Sequence, residues 1–394
     1  MTTGRLGVLL RRPDQSRPAF LELFFDLVFV LAFLRLSQEL FEQLSWTGAF
    51  QTLVLLLAVL AVWFSTARFL DAFDPQHRLV QLLTMPIIFG TLVMAAATPE
   101  AFGRTGLVFA GTYVTVRLGG LAVAIFYLRG HAARTSAVRL AFWAGMAAIP
   151  WIAGALLTGG GRAVLWMTAA VIEYAGIALG FPTPKLGRSG ERRLEVVVSE
   201  EHTAERYQQF FIIALGEPIL VTGLTLGGGD FGADQVVGAL LAFTTTALLW
   251  RVYIHRAGAL LAEAIAATAN PRRVAILTIY SHVIMVAGII TMAVGDELVI
   301  AHPLGHAEPA WTTVILGGPA LFLVGRAAFE YAVFGRVSAP RVTGALALAA
   351  VTPATRSAPP IAVAGIAALV LAGVAVADTL RARRVPSETP SPPG

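Results

Sequence analysis

Cysteine is absent from the 394 residues, and lysine occurs once, at Lys185. Without cysteine there are no disulfides, iron–sulfur clusters or thiolate zinc sites. Charge is scarce as well. Asp, Glu, Lys and Arg make up 13% of the chain, about half of the ~25% usual in soluble domains. His-Glu-x-x-His, a Walker A loop and Gly-x-Ser-x-Gly are all missing. An ATPase or a standard hydrolase would lack its signature here, and no cofactor or metal is expected.

Apolar residues are abundant. They form 56% of the sequence, and the mean hydropathy is +0.72. A water-soluble fold of this size could not hide so much apolar surface in one core, whereas a bilayer acts as solvent for it. The expected fold is therefore all-α, a polytopic transmembrane helix bundle. Its expected place is a membrane, crossed many times. Residues 1–18 are basic and polar, and the run from Phe20 to Leu36 lacks an Ala-x-Ala exit. It reads as a retained first helix, not a cleaved signal.

Hydrophobic runs place spans at 19–40, 49–67, 79–98, 106–128, 140–158, 163–181, 207–226, 233–254, 274–294, 311–332, 341–354 and 360–379. The eleventh is short and stops at Thr352-Pro353, so ten to twelve crossings are allowed. With the N-terminus inside, 23 of the 29 basic residues fall on inner segments. Arg104, Arg162 and Arg356 lie outside, and Arg35, Arg117 and Arg326 lie within spans. This asymmetry predicts an N-in, C-in protein. It also explains the net charge of +5 as membrane-face charge, with no call for nucleic acid.

The domain plan has five parts: a basic cytoplasmic tail (1–18), a six-helix half (19–181), a cytoplasmic connection (182–206), a second six-helix half (207–379) and a disordered tail (380–394). Short matches suggest that the halves are parallel repeats. Leu23-Phe24-Phe25 pairs with Gln209-Phe210-Phe211, Trp63-x4-Arg68 with Trp250-x5-Arg256, and Arg117 of the fourth span with Arg326 of the tenth.

Ionisable residues inside spans are costly and mark pathways or buried pairs. Glu22 and Asp26 are four apart, so both carboxylates share a helix face. They can hold a cation, pass a proton or pair with arginine. Arg117 and Arg326 can clamp an anion or balance Glu22, Asp26, Glu173 or Glu217. Gly216-Glu217-Pro218 predicts a kinked or broken seventh span, because proline removes a helical hydrogen bond. His282 in the ninth span can relay protons or simply pack through hydrogen bonds. His302, His306, Asp296 and Glu297 are assigned to an outer loop. Gly119-Gly120 and Gly317-Gly318 allow close helix contact, within or between chains. The oligomeric state stays open.

Several of these residues carry a resemblance. Glu22-Leu23-Phe24-Phe25-Asp26-Leu27-Val28-Phe29-Val30 is similar to the opening signature of the bacterial low temperature requirement protein A family. Ala67-Arg68-Phe69 with Asp71, Asp74 and His77-Arg78 resembles its segment after the second span. Glu205-Arg206-Tyr207 and Ile212-Ile213-Ala214-Leu215-Gly216-Glu217 resemble its central motif, with Pro218 where the family usually has serine. Tyr280-Ser281-His282, Gly288, Gly295, Glu297 and His302-Pro303 resemble its late segment. The resemblance implies a bacterial membrane protein and no established substrate.

The leading expectation is a secondary transporter or permeation protein, coupled to protons or ions and moving a small solute. Glu22, Asp26, Arg117, Glu217, His282 and Arg326 are the candidate binding residues. A membrane enzyme acting on a lipid-linked substrate, and an envelope sensor or structural partner in cold adaptation, remain as alternatives. The lipid bilayer is the expected partner in every case.

Overall fold

A computed structural model describes residues 19–187, 200–306, 308–355, 357–384 and 388–393. The tail at 1–18, most of the connecting segment and Arg356 fall outside these residues. Among the described residues the regular elements are helices, with no strands. The helices are α1 (Phe20–Glu42), α2 (Trp46–Ala72), α3 (Arg78–Ala97), α4 (Gly106–Tyr127), α5 (Ala133–Ala155), α6 (Gly160–Leu179), α7 (Glu200–Gly227), α8 (Ala233–Tyr253), α9 (Leu261–Ala267), α10 (Pro271–Ala301), α11 (Pro309–Phe334), α12 (Ala339–Val351) and α13 (Pro360–Arg384). Each of the twelve expected spans falls on one of them.

Ten of the described helices are long and apolar enough to cross a membrane. The 23-residue α1 is long enough, but Glu22, Asp26, Arg35 and Glu39 keep it out of that set. The 13-residue α12 rises only about 20 Å at ~1.5 Å per residue, short of a ~30 Å crossing.

Local chemistry sets the ends. Proline opens α10, where Asn270 accepts the N–H of Arg273 at 3.1 Å, as expected for an N-cap followed by proline. Gly335, at φ 64°, closes α11 in the left-handed region that glycine enters without strain. Pro86, Pro150, Pro218 and Pro319 all lie inside helices. Of the kink or break expected at Pro218, the break does not occur. One 28-residue helix runs through it, since a single missing hydrogen bond leaves the other turns intact and membrane helices tolerate proline.

The break lies elsewhere. After α8 the chain makes a π-type turn over Ile254–Gly258, with His255 extended and Arg256 at φ 53°. No proline marks it.

Two compact units make up the chain. The first comprises Met1–Glu39 and Phe50–Arg206. Here α3, α4, α5 and α6 pack in sequence order. Phe109, Tyr113, Trp151 and Trp166 form an aromatic core with ring centroids 4.9 to 6.3 Å apart. Arg162 sits beside it. Its guanidinium donates to the carbonyls of Ala101 and Gly103 at 2.8 and 2.7 Å, and to those of Gly154, Leu157 and Ala155. Gly154 and Ala155 end α5, where carbonyls run short of intrahelical partners, although Gly154 also accepts the Leu157 N–H at 3.1 Å; Ala101 and Gly103 lie in the turn before α4. The arginine expected on an outer loop is instead a buried tie.

The second unit comprises Leu40–Ala49 and Tyr207–Gly394. Its closest pairing is α10 against α11, which interlock through glycines seven apart on each helix. A Cβ on Gly288 would stand 2.6 Å from the Phe322 nitrogen, and one on Gly318 would stand 2.5 Å from the Met292 nitrogen. Small residues let membrane helices approach this closely. Of the flagged glycines, Gly318 serves this contact, while Gly119 and Gly317 face open space. The last helix extends to Arg384, and the described tail beyond it is held: Ser391 N–H donates to the Val333 carbonyl at 3.1 Å. The tail read as disordered thus has a seat on the end of α11. Asp296, assigned to a loop, is buried inside α10.

Candidate functional site

The first unit gathers charge around the start of α1. Spacing of four puts Glu22 and Asp26 on one face of that helix, and both are fully buried. Opposite them, at the same spacing, stand His202 and Arg206 on the first turns of α7, also buried. The two pairs form rungs one turn apart. In the first rung, His202 Nε2 lies 3.5 Å from a Glu22 oxygen and 3.0 Å from Asp71. In the second, Arg206 donates to both oxygens of Asp26, at 2.7 and 3.0 Å. That fork is the geometry a guanidinium suits best.

Helix α2 runs antiparallel along the ladder. Its Asp71 meets the first rung, and two turns earlier Trp63 donates its indole N–H to Asp26 at 2.8 Å. The Arg206 guanidinium also lies 5.5 Å from the Trp63 ring centroid, within cation–π range. Glu22 has a second task. It accepts the N–H of Ala19 at 2.9 Å, reaching back from the first turn as in a capping box. The cluster therefore holds three carboxylates, one guanidinium and one imidazole. Asp71 is partly exposed, its side chain at 15%, so the first rung borders the surface and the second is sealed.

The candidate residues divide between the two units. Arg117 and Glu173 make a separate pair in the first unit, 3.6 Å apart. Tyr113 donates a short hydrogen bond to Glu173, and Arg117 also donates to the Ala61 carbonyl of α2 at 3.2 Å. Of the acids considered for it, Arg117 thus pairs with Glu173. The partner of Asp26 is Arg206, which had been placed in the connecting segment.

Glu217, His282 and Arg326 belong to the second unit. Glu217 is fully buried on α7. His282 sits in an aromatic box: Tyr253 OH lies 3.0 Å from its Nε2, the Phe329 ring packs 5.0 Å away, and Tyr207 packs 4.6 Å away. Its Nδ1 donates to the Thr278 carbonyl at 2.7 Å. Both ring nitrogens therefore have partners. Arg326 donates to the Val252 and His255 carbonyls at 3.0 and 2.7 Å. It holds oxygens that the break after α8 releases, and no carboxylate.

Sequence reasoning missed His202, Arg206, Trp63 and Asp71 as partners of the first helix. One signal was available. His202-x3-Arg206 repeats the spacing of Glu22-x3-Asp26 with opposite charge.

The helices and buried ionisable residues define a multi-pass helical membrane protein. The chain belongs to the bacterial low temperature requirement A family, whose sequence model matches residues 17–376. An uncharacterized protein of Rhizobium meliloti (strain 1021) is 36% identical over 319 residues, covering 79% of this chain and 76% of that protein. No solved structure matches the chain.

Proposed function

We propose that the protein is a secondary transporter or permeation protein of the bacterial cytoplasmic membrane, coupled to protons or small cations, with both termini on the cytoplasmic side. The observation that carries this reading is the acid-rich ladder of Glu22, Asp26, Asp71, His202 and Arg206. Among the described residues in these contacts, three carboxylates face two basic groups. A site of that kind accepts a proton or cation readily, and buried acids in membrane helices commonly line such routes. The first rung, next to the surface through Asp71, is the entry. Asp26, bound by Arg206 and Trp63, is the inner station. Residues Arg117 and Arg326 hold structure and are not assigned to solute. The unbroken α7 gives the reading no support, so it rests on the ladder.

The test is flux in proteoliposomes under an imposed proton or sodium gradient, with wild type, Asp26→Asn and Glu22→Gln. Ion movement in wild type that both variants reduce at least tenfold supports the reading. Glu22→Gln is the safer variant, because its contact with His202 is 3.5 Å and His202 keeps Asp71 at 3.0 Å. Folded wild-type protein that moves no ion across a broad solute panel would overturn it.

A further inference from the structure

In the second unit, three arginines from three separate segments converge on one carboxylate. Glu388 of the C-terminal tail pairs with Arg256 in the π-type turn and with Arg336 in the loop after α11, and it lies 3.7 Å from Arg381 in the last turn of α13. Its side chain is 13% exposed, so the contact is largely sealed. Two more acids stand in the same region, and Arg341 engages both: it grips Asp378 at 2.7 and 2.9 Å and lies 3.1 Å from Glu330. Arg336 lies 3.9 Å from the other oxygen of Glu330.

A cleft opens beside this group, with Arg256, Arg326, Arg341 and Arg381 and the acids Glu330, Asp378 and Glu388 in its lining. Arg326 is 1% exposed. Two of its nitrogens hold backbone carbonyls, and the buried third, Nη1, has no hydrogen-bond partner among the described residues. With Glu388 seated, the free space holds about one water molecule.

We infer that this cleft is a binding site for a phosphate-bearing anion, and that Glu388 of the tail occupies it in the ligand's place. Three convergent guanidiniums exceed what one carboxylate needs, and they suit the several oxygens of a phosphate. The unpartnered Arg326 nitrogen adds a donor within the same cleft. The arginines lie at helix ends and in the adjoining turns, which the orientation proposed above puts at headgroup level, so a phospholipid and a soluble phosphate are the two sources of the ligand. The tail acts as a tethered competitor: the apparent affinity falls in proportion to the fraction of molecules whose site is vacant. The inference stands whether or not the chain transports an ion.

The experiment uses the full chain in neutral detergent. Binding is followed by calorimetry with two probes: inorganic phosphate, and short-chain phosphatidylglycerol against short-chain phosphatidylcholine. The proteins are wild type, Glu388→Gln, and Glu388→Gln combined with Arg336→Gln or Arg381→Gln. The two arginine side chains are 38% and 36% exposed, so their removal spares the fold. Glu388→Gln should tighten binding roughly tenfold or more, as release of a mostly docked competitor requires, and either arginine change should reverse the gain. Binding of phosphate assigns a soluble anion, and binding of phosphatidylglycerol alone assigns a headgroup. Equal affinity in all four proteins, or no binding of either probe to Glu388→Gln, overturns the inference.

Discussion

Asp26 and Arg206 are 180 residues apart in the chain, yet Arg206 donates to both Asp26 oxygens at 2.7 and 3.0 Å, with both side chains buried. Removing one partner of such a pair strands a charge and costs about 3–5 kcal/mol. Asp26→Asn and Arg206→Gln should each lower the thermal unfolding midpoint of the detergent-purified protein. The double variant should be more stable than the sum of the two losses predicts, because neither charge is then left alone. Additive losses in the double-mutant cycle would show that the pair is not coupled.

Arg117 and Arg326 each donate to backbone carbonyls of a neighbouring helix or its end. Arg117 of the fourth span donates to a carbonyl of the second-span helix at 3.2 Å. Arg326 of the tenth donates to carbonyls at and just beyond the end of the eighth-span helix, at 3.0 and 2.7 Å. Lysine keeps the charge but cannot fork between two oxygens. Arg326→Lys should therefore cost about 1–3 kcal/mol for one unsatisfied buried carbonyl, read as a lower unfolding midpoint. It should also raise protease cutting near 254–258, where the break depends on that arginine. A variant as stable and as resistant as wild type would remove Arg326 from this role.

The map of helices was legible because each span is an apolar run with charged or proline- and glycine-containing edges. The sites of breakage were not. Pro218 announces a break in sequence, and the helix runs through it. The break at 254–258 carries no proline, because it is stabilised from afar by Arg326 and by Gln208, which donates to the Gly258 carbonyl at 2.7 Å. Half of the ladder was legible from the spacing of Glu22 and Asp26. The other half was hidden because residues 200–206 include Glu200, Glu201, His202, Glu205 and Arg206. A stretch that polar shows no apolar period, so it read as loop although α7 begins at Glu200.

His282 should prove structural. Its Nδ1 donates to the Thr278 carbonyl at 2.7 Å, and Tyr253 OH lies 3.0 Å from Nε2. Losing one such hydrogen bond costs about 1 kcal/mol. Tyr253→Phe should show a loss of that size in thermal unfolding, and His282→Gln a similar or somewhat larger one. Ion or solute flux per folded molecule, wherever wild type shows it, should be unchanged in Tyr253→Phe. Abolished flux in a stable Tyr253→Phe protein would return His282 to the candidate pathway.

The glycine seam between α10 and α11 makes a steric prediction. A Cβ at Gly318 would come 2.5 Å from the Met292 backbone nitrogen, and one at Gly288 would come 2.6 Å from that of Phe322. Backbone cannot step aside as a side chain can. Gly318→Leu and Gly288→Leu should each destabilise the protein by about 1–3 kcal/mol or more, the range for overpacking a fitted interface. Gly317→Leu is the internal control, because nothing lies within 4 Å of its added Cβ. Equal unfolding midpoints for Gly317→Leu and Gly318→Leu would contradict the seam.

Arg162 offers the sharpest separation of structure from function. Its guanidinium ties carbonyls of Ala101, Gly103, Gly154, Ala155 and Leu157, and it is 4% exposed. No carboxylate is among those partners, so the positive charge is spread over backbone dipoles at the ends of helices. Arg162→Ala deletes all of these bonds and leaves buried oxygens unsatisfied, at about 1–3 kcal/mol for each that water cannot reach. The variant should express poorly or unfold well below wild type. Arg162→Lys should recover only part of the loss, because one ammonium cannot span five oxygens. Full stability in Arg162→Ala would mean that water satisfies those carbonyls, and that the first unit does not depend on this tie.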